Sequence, residues 1–152
     1  MARRVFFSFH YKHDVWRANI VRMSNVVAGP DTAGFFDHSE YEEAKFYGDD
    51  GIRRMIARHL HNTTVTVVLI GTFTSERPWV KYEVEQSILR KNGLLGIYIN
   101  HLVVPSQPTS PMGLKPLVPA RLDFPAYSWD GNLNRFRTEI EAAGQRADAL
   151  RR

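Results

Sequence analysis

The stretch Ser75–Lys91 holds the side chains with the most chemical potential in the chain: the rings of Trp79 and Tyr82 and, within the helix, the carboxylates of Glu83 and Glu85. It reads as a helix between two apolar strands. Val80, Val84 and Ile88, with the small Ser87 between them, mark the face that packs on a sheet. On a helical wheel Glu83 lies ~80° from the centre of that face, beside Trp79 and Ser87, whereas Glu85 lies ~115° away on the other side. Glu83 is therefore a border residue and Glu85 a solvated one. A border carboxylate beside aromatic rings at a sheet edge is catalytic material. The plain alternative is a surface acid pairing with Arg90 or Lys81, and the wheel alone leaves both open. Ser75 is the expected N-cap, with Pro78 tolerated in the first turn.

The elements that must position this helix follow from hydropathy. Arg3–Phe9 lacks polar alternation, as a strand buried on both faces does. Asp14 is an expected N-cap, and Trp16, Ile20, Met23 and Val27 form an apolar stripe at helical spacing that ends at Gly29-Pro30-Asp31. Thr32–Phe36 reads as a second strand leading to Asp37. His38–Asp50 has no clear period and reads as a long loop with room for one helical turn, and Ile52, Met55, Ile56, His59 and Leu60 mark another helix. Thr64–Ile70, rich in β-branched residues, is the clearest strand. Leu94–Ile99 is a further buried strand. Asn100–Pro125 is irregular and proline-rich, with a short strand expected near Ala120–Asp123. A C-terminal helix at about 132–150 carries Leu133, Phe136, Ile140, Ala143, Ala147 and Leu150 on one stripe. This alternation predicts an α/β domain, residues 1–152, with a parallel sheet and helices on both faces. Ligands bind such sheets at the carboxyl ends of the strands. By topology those ends are Ser8–His10, Asp37–Ser39, Gly71–Thr74 and Asn100–His101.

Composition narrows the function classes. The 152 residues are 43% apolar and 24% charged, as in an ordinary soluble domain. No cysteine is present, which excludes disulfides and thiolate ligands or nucleophiles and suits a reducing cytoplasm. No apolar run reaches membrane-spanning length, and the basic, then apolar, start reads as a strand rather than a signal peptide. The net charge of +4 describes a mildly basic surface or attraction to an anionic ligand such as a nucleotide. The arginines are scattered, so no nucleic-acid groove is expected. The six histidines make no metal set: His10 and His13 share a turn, and His59 and His61 point apart on a helix.

Order and spacing together resemble a known family. Val5-Phe6-Phe7-Ser8-Phe9-His10 resembles the first-strand box of TIR domains, and Gly34-Phe35-Phe36-Asp37 their second strand leading to a variable loop. Val67-Val68-Leu69-Ile70-Gly71, followed by Ser75, Trp79 and Glu83, is similar to their third strand and Ser…Trp-x-x-x-Glu helix. The resemblance runs from residue 3 to about 100. It is greatest to the bacterial branch that includes the TIR subunit of Thoeris anti-phage systems.

That resemblance implies a flavodoxin-like fold with strand order 2-1-3-4-5. It implies an NAD+ nucleosidase or cyclase that cleaves the nicotinamide–ribose bond with Glu83 as the catalytic carboxylate. The product would be an ADP-ribose-derived signal, of cyclic or conjugated form, for a separate effector protein. NAD+ is then the substrate, and no cofactor or metal is required. Breaking this bond develops oxocarbenium character and releases neutral nicotinamide, so one carboxylate suffices. Candidate substrate contacts are Phe6, Ser8, Phe9, His10, Asp37, Ser75, Trp79 and Tyr82, with Tyr11 a further ring. Strand alternation lets only one of Phe6 and Phe7 face the site. Self-assembly or a phage-derived trigger would activate such a protein. The competing readings are a non-catalytic TIR assembly module and a nucleoside-transferase-like glycosidase. A receiver-like phosphoacceptor lacks support, because the first strand ends in Ser-Phe-His without an acidic pair.

Overall fold

The apolar runs become four short strands: β1 Val5–Ser8, β2 Val65–Ile70, β3 Gly93–Tyr98 and β4 Ala126–Ser128. They belong to a computed structural model that describes residues 3–22, 38–105 and 108–152. The strands pair in parallel in the order β1-β2-β3-β4, with Val5 opposite Val65, Val65 opposite Gly93 and Gly96 opposite Ala126. The expected strand at Thr32–Phe36, with Asp37, lies outside the described residues. Counting that strand as second, the observed order is the 1-3-4-5 portion of the expected 2-1-3-4-5. Every residue of β2 is buried, as its continuous apolar pattern requires.

Five helices connect or flank the strands: α1 Tyr11–Arg22, α2 His38–Phe46, α3 Gly48–Leu60, α4 Pro78–Leu89 and α5 Leu133–Leu150. Register shows that they cover both faces. Phe6, Ser8, Thr66 and Val68 share one face by pairing and alternation. Ser8 and Thr66 bond to Glu83 and Ser87 of α4, so α4 covers that face. Gly93 and Gly71 belong to the other face. A Cβ on Gly93 would stand 1.8 Å from the Ala143 carbonyl of α5, and one on Gly71 would stand 2.1 Å from the Asp14 carboxylate of α1. These two glycines let α5 and α1 approach the sheet closely. Val68, Ile70, Val80, Val84, Leu94 and Phe124 pack under α4, and the larger core joins α3, α5 and the rest of the sheet.

Four local expectations are corrected. His38–Asp50 is not a loop: it holds α2 and the start of α3, which meet at a corner where Gly48 has φ +71° and Gly51 admits the Ala44 carbonyl. Among the described side chains of α2, only Tyr41 and Ala44 are buried core residues, too few to reveal a helical period.

The described part of the α1 stripe is turned the other way; Met23 and Val27 lie outside the described residues. Trp16 and Ile20 are exposed, and the buried face is Tyr11, Asp14, Arg17, Ala18 and Val21. Asp14 lies inside the helix instead of capping it, and pairs with Arg17 at 3.2 Å. Arg17 also donates to the carbonyls of Leu102 and Pro108 and to Ser110 Oγ, which is why a charged residue faces inward.

The strand expected at Ala120–Asp123 forms instead at Ala126–Ser128, because the earlier segment folds into a turn in which Leu122 N–H donates to the Pro119 carbonyl. Gly96 N–H opens the pairing by donating to the Pro125 carbonyl.

Finally, α4 is capped not by Ser75 but by Arg77, with Pro78 at the first helical position. Ser75 lies in a separate 3-10 turn, Thr74–Glu76. No helix among the described residues is long and apolar enough to cross a membrane.

Candidate active site

Glu83 sits where the wheel placed it, at the border of α4 against the sheet. It is 4% exposed, whereas Glu85 faces solvent. Its Oε1 accepts a hydrogen bond from Ser8 Oγ at 2.8 Å, joining α4 to the carboxyl end of β1. Burial pushes the Glu83 carboxyl up to about 8, and the Ser8 hydrogen bond opposes that rise. Displacements of this size in clefts accompany catalytic carboxylates.

A buried relay holds this turn of α4 in place. Asn92 Nδ2 donates to Thr66 Oγ1, Thr66 donates to Ser87 Oγ, and Ser87 donates to the carbonyl of Glu83 itself. Arg151 at the C-terminal end of α5 donates to Asn92 Oδ1, extending the relay to the far edge of the sheet.

Glu83 lines a small crevice with Phe9, Tyr11, Tyr41, Arg77, Trp79 and residues of α3. Tyr11 and Tyr41 stack with centroids 4.5 Å apart and planes at 20°. Trp79 meets Tyr82 edge-on at 5.6 Å, and Arg53 lies over the Trp79 ring at 5.8 Å. The free volume is about 20 Å³, room for about one water against the ~300–1,000 Å³ of ligand pockets. The crevice is thus closed, and a dinucleotide can enter only if its ring walls part.

The other predicted contacts divide by position. Ser8, Phe9 and Trp79 meet at Glu83. Phe6 lies on the Glu83 face one pleat deeper and is fully buried, while Phe7 points to the opposite face. His10 follows Phe9 but is not among the residues that line the crevice. Its Nδ1 accepts from the His13 backbone N–H at 3.3 Å, and burial, then Arg77, lower its proton affinity. Tyr82 reaches the site only through its edge contact with Trp79. Ser75 lines a different, larger groove of about 660 Å³ with Glu85, Leu89 and Leu117. Asp37 lies outside the described residues. Tyr41 and Arg77 are site residues that the hydropathy pattern did not single out. Arg77 precedes Pro78-Trp79 directly, and that adjacency was the available signal. Among the described residues no group of three or more His, Asp or Glu side chains gathers to hold a metal.

A parallel α/β sheet with a buried glutamate on its third-strand crossover, bonded to the end of the first strand, defines a TIR-like domain. Residues 6–103 match the family described as "Thoeris protein ThsB, TIR-like domain", and the chain belongs to that family. It is also 47% identical over 102 residues to the protein named "Putative cyclic ADP-D-ribose synthase ThsB1" of Bacillus cereus (strain MSX-D12). That match covers 66% of this chain and 53% of the relative, so the chain spans about half the length of the curated relative it matches.

Proposed function

We propose that this chain cleaves the nicotinamide–ribose bond of NAD+, with Glu83 as the catalytic carboxylate, and releases an ADP-ribose-derived, cyclic signal. The observation that carries this is Glu83 itself: a buried carboxyl, raised to about 8, bonded to Ser8 and enclosed by aromatic rings at the carboxyl edge of a parallel sheet. The relative's name, a cyclic ADP-D-ribose synthase, supports the same chemistry.

The steps follow from charge. In the closed crevice Glu83 keeps its proton at neutral pH. The nicotinamide ring of NAD+ is cationic, and its arrival beside Glu83 favours the ionised carboxylate. As the C–N bond breaks, its electron pair leaves with nicotinamide and positive charge moves to the ribose. The Glu83 carboxylate then stabilises that charge in a site of low dielectric. Ser8 orients the carboxylate by its hydrogen bond. Phe9, Tyr11, Tyr41 and Trp79 supply flat surfaces for the nicotinamide and exclude water. With water excluded, a nucleophile within the same molecule takes the ribose carbon and loses its proton, which closes a ring instead of hydrolysing it. The product then acts on a separate effector protein in anti-phage defence, with self-assembly or a phage-derived molecule as the trigger. No cofactor takes part in this scheme.

The test is incubation of the purified protein with NAD+, followed by chromatography and mass spectrometry, at high protein concentration and with lysate of phage-infected cells. Nicotinamide and an ADP-ribose species should appear in equal amounts. Glu83→Gln should lower the rate by ~10²-fold or more, while Glu85→Gln should stay close to wild type. Full turnover by Glu83→Gln would sink the assignment. A lack of product under every condition would favour a non-catalytic assembly module.

A further inference from the structure

We infer that Arg77 is the diphosphate-binding residue of this crevice and sets a preference for dinucleotides over substrates that lack a diphosphate. The inference rests on the reading of Glu83 as the NAD+-cleaving carboxylate.

Arg77 lines the same crevice as Glu83 and Trp79, and its backbone is held from both sides. Its N–H donates to the Thr74 carbonyl at 3.2 Å, and its own carbonyl accepts from Lys81 N–H at 3.0 Å. The backbone is therefore fixed between the 3-10 turn and α4, but the guanidinium makes no hydrogen bond or ion pair with any described residue. Three other arginines with part of their side chain shielded or stacked have partners. Arg3 is paired with Glu141 and Asp148, Arg17 with Asp14 and loop carbonyls, and Arg53 with Asp50 while it covers Trp79. A planar guanidinium with five donors and no acceptor, at the mouth of a substrate crevice, lacks an anion.

A second donor lies within range of the Arg77 charge. His10 is close enough to Arg77 for that charge to lower its proton affinity. Its Nδ1 already accepts from His13 N–H, so the neutral ring carries its proton on Nε2. The carboxyl that lines the crevice is Glu83, which is neutral and deeper. The charge of Asp14 also reaches His10, so among the described residues that line the crevice the one cation is Arg77. NAD+ places two phosphates a few bonds from the ribose carbon that reacts. A substrate with that carbon at Glu83 brings its diphosphate to Arg77, where a bidentate guanidinium–phosphate contact is available.

The experiment compares NAD+ with nicotinamide riboside, which has the same scissile bond and no phosphate, on wild type, Arg77→Gln and Arg77→Lys. Arg77→Gln should raise KM for NAD+ by about tenfold or more, with the loss falling on KM and not on kcat. Its effect on the riboside should be smaller, so the selectivity ratio for NAD+ falls by a similar factor. Arg77→Lys should recover part of the loss, as a point charge without the planar fork. Equal losses on the two substrates, or an unchanged KM for NAD+, would overturn the assignment. Calorimetric titration with ADP-ribose gives a reading independent of turnover: Arg77→Gln should bind at least about tenfold more weakly than wild type. Equal binding, or no binding by either protein, also overturns it. Arg77-dependent binding of ADP-ribose without NAD+ cleavage would instead overturn the catalytic role of Glu83 alone. Because the guanidinium holds no other residue, Arg77→Gln should keep the wild-type Tm, which checks that the fold is intact.

Discussion

Glu83, the proposed catalytic carboxyl, also ties stability to pH in a way that can be measured without any substrate. Its carboxyl titrates near 4.5 in the unfolded chain and at about 8 in the folded one. The folded state therefore binds this proton more tightly, and stability is present in full below about 4.5 and falls as pH rises towards 8. Each tenfold change in proton affinity is worth about 1.4 kcal/mol, which sets a ceiling of about 5 kcal/mol for the loss. Water entering the crevice beside Glu83 reduces the realised value, so a loss of ~2–4 kcal/mol between pH 5 and pH 8.5 is expected. Glutamine has nearly the same shape, accepts the same hydrogen bond from Ser8, and does not ionise. Glu83→Gln should therefore remove this pH dependence and be more stable than wild type at pH 8.5. Urea denaturation at the two pH values, with a common m-value, measures the difference. Wild type and Glu83→Gln losing the same stability between those pH values would refute the buried, proton-retaining carboxyl.

Three further outcomes follow from contacts around the site. Ser8→Ala removes the one hydrogen bond that favours the ionised Glu83, so the rise of NAD+ cleavage with pH should move to higher pH, read from a rate–pH profile. Arg17→Leu strips Asp14 of its buried cation and should cost about 3–5 kcal/mol by thermal or chemical unfolding, with Asp14→Asn in the same chain restoring part of it. Gly93→Ala drives a methyl into the Ala143 carbonyl and should cost about 1–3 kcal/mol or more, since both partners are backbone-held, whereas alanine at the solvent-exposed Ser128 should be near neutral.

The features that were legible in the sequence are those fixed by short-range pattern. Val65–Ile70 could only be a strand buried on both faces. The wheel of α4 separated Glu83 from Glu85 because three apolar positions, Val80, Val84 and Ile88, define one face without competition. The features that were not legible depend on distant partners. Arg17 turns inward because carbonyls at Leu102 and Pro108 receive it, and nothing within α1 announces them. Trp16 and Ile20 are large apolar residues of that helix and still face outward. Likewise, among its described side chains α2 buries only Tyr41 and Ala44 as core residues, so an acidic segment with two anchors read as a loop. The Tyr11–Tyr41 stack that closes the crevice joins residues thirty positions apart and leaves no local mark. Among the site residues, Ser8, Phe9, Trp79 and Glu83 meet as expected. Ser75 faces another groove because the chain makes a 3-10 turn before α4 begins.

The hydrogen bond from Ser8 to Glu83 spans 75 residues of chain. During synthesis at ~5–20 residues per second, several seconds pass after Ser8 leaves the ribosome before Glu83 exists to meet it. The strand between them in the sheet, β2, and the crossover through α4 must both be in place first. A nascent or truncated chain that stops short of α4 can hold β1 and its aromatic residues, yet it has no carboxyl to offer. Such a partial copy lacks the carboxyl on which the proposed cleavage of NAD+ depends.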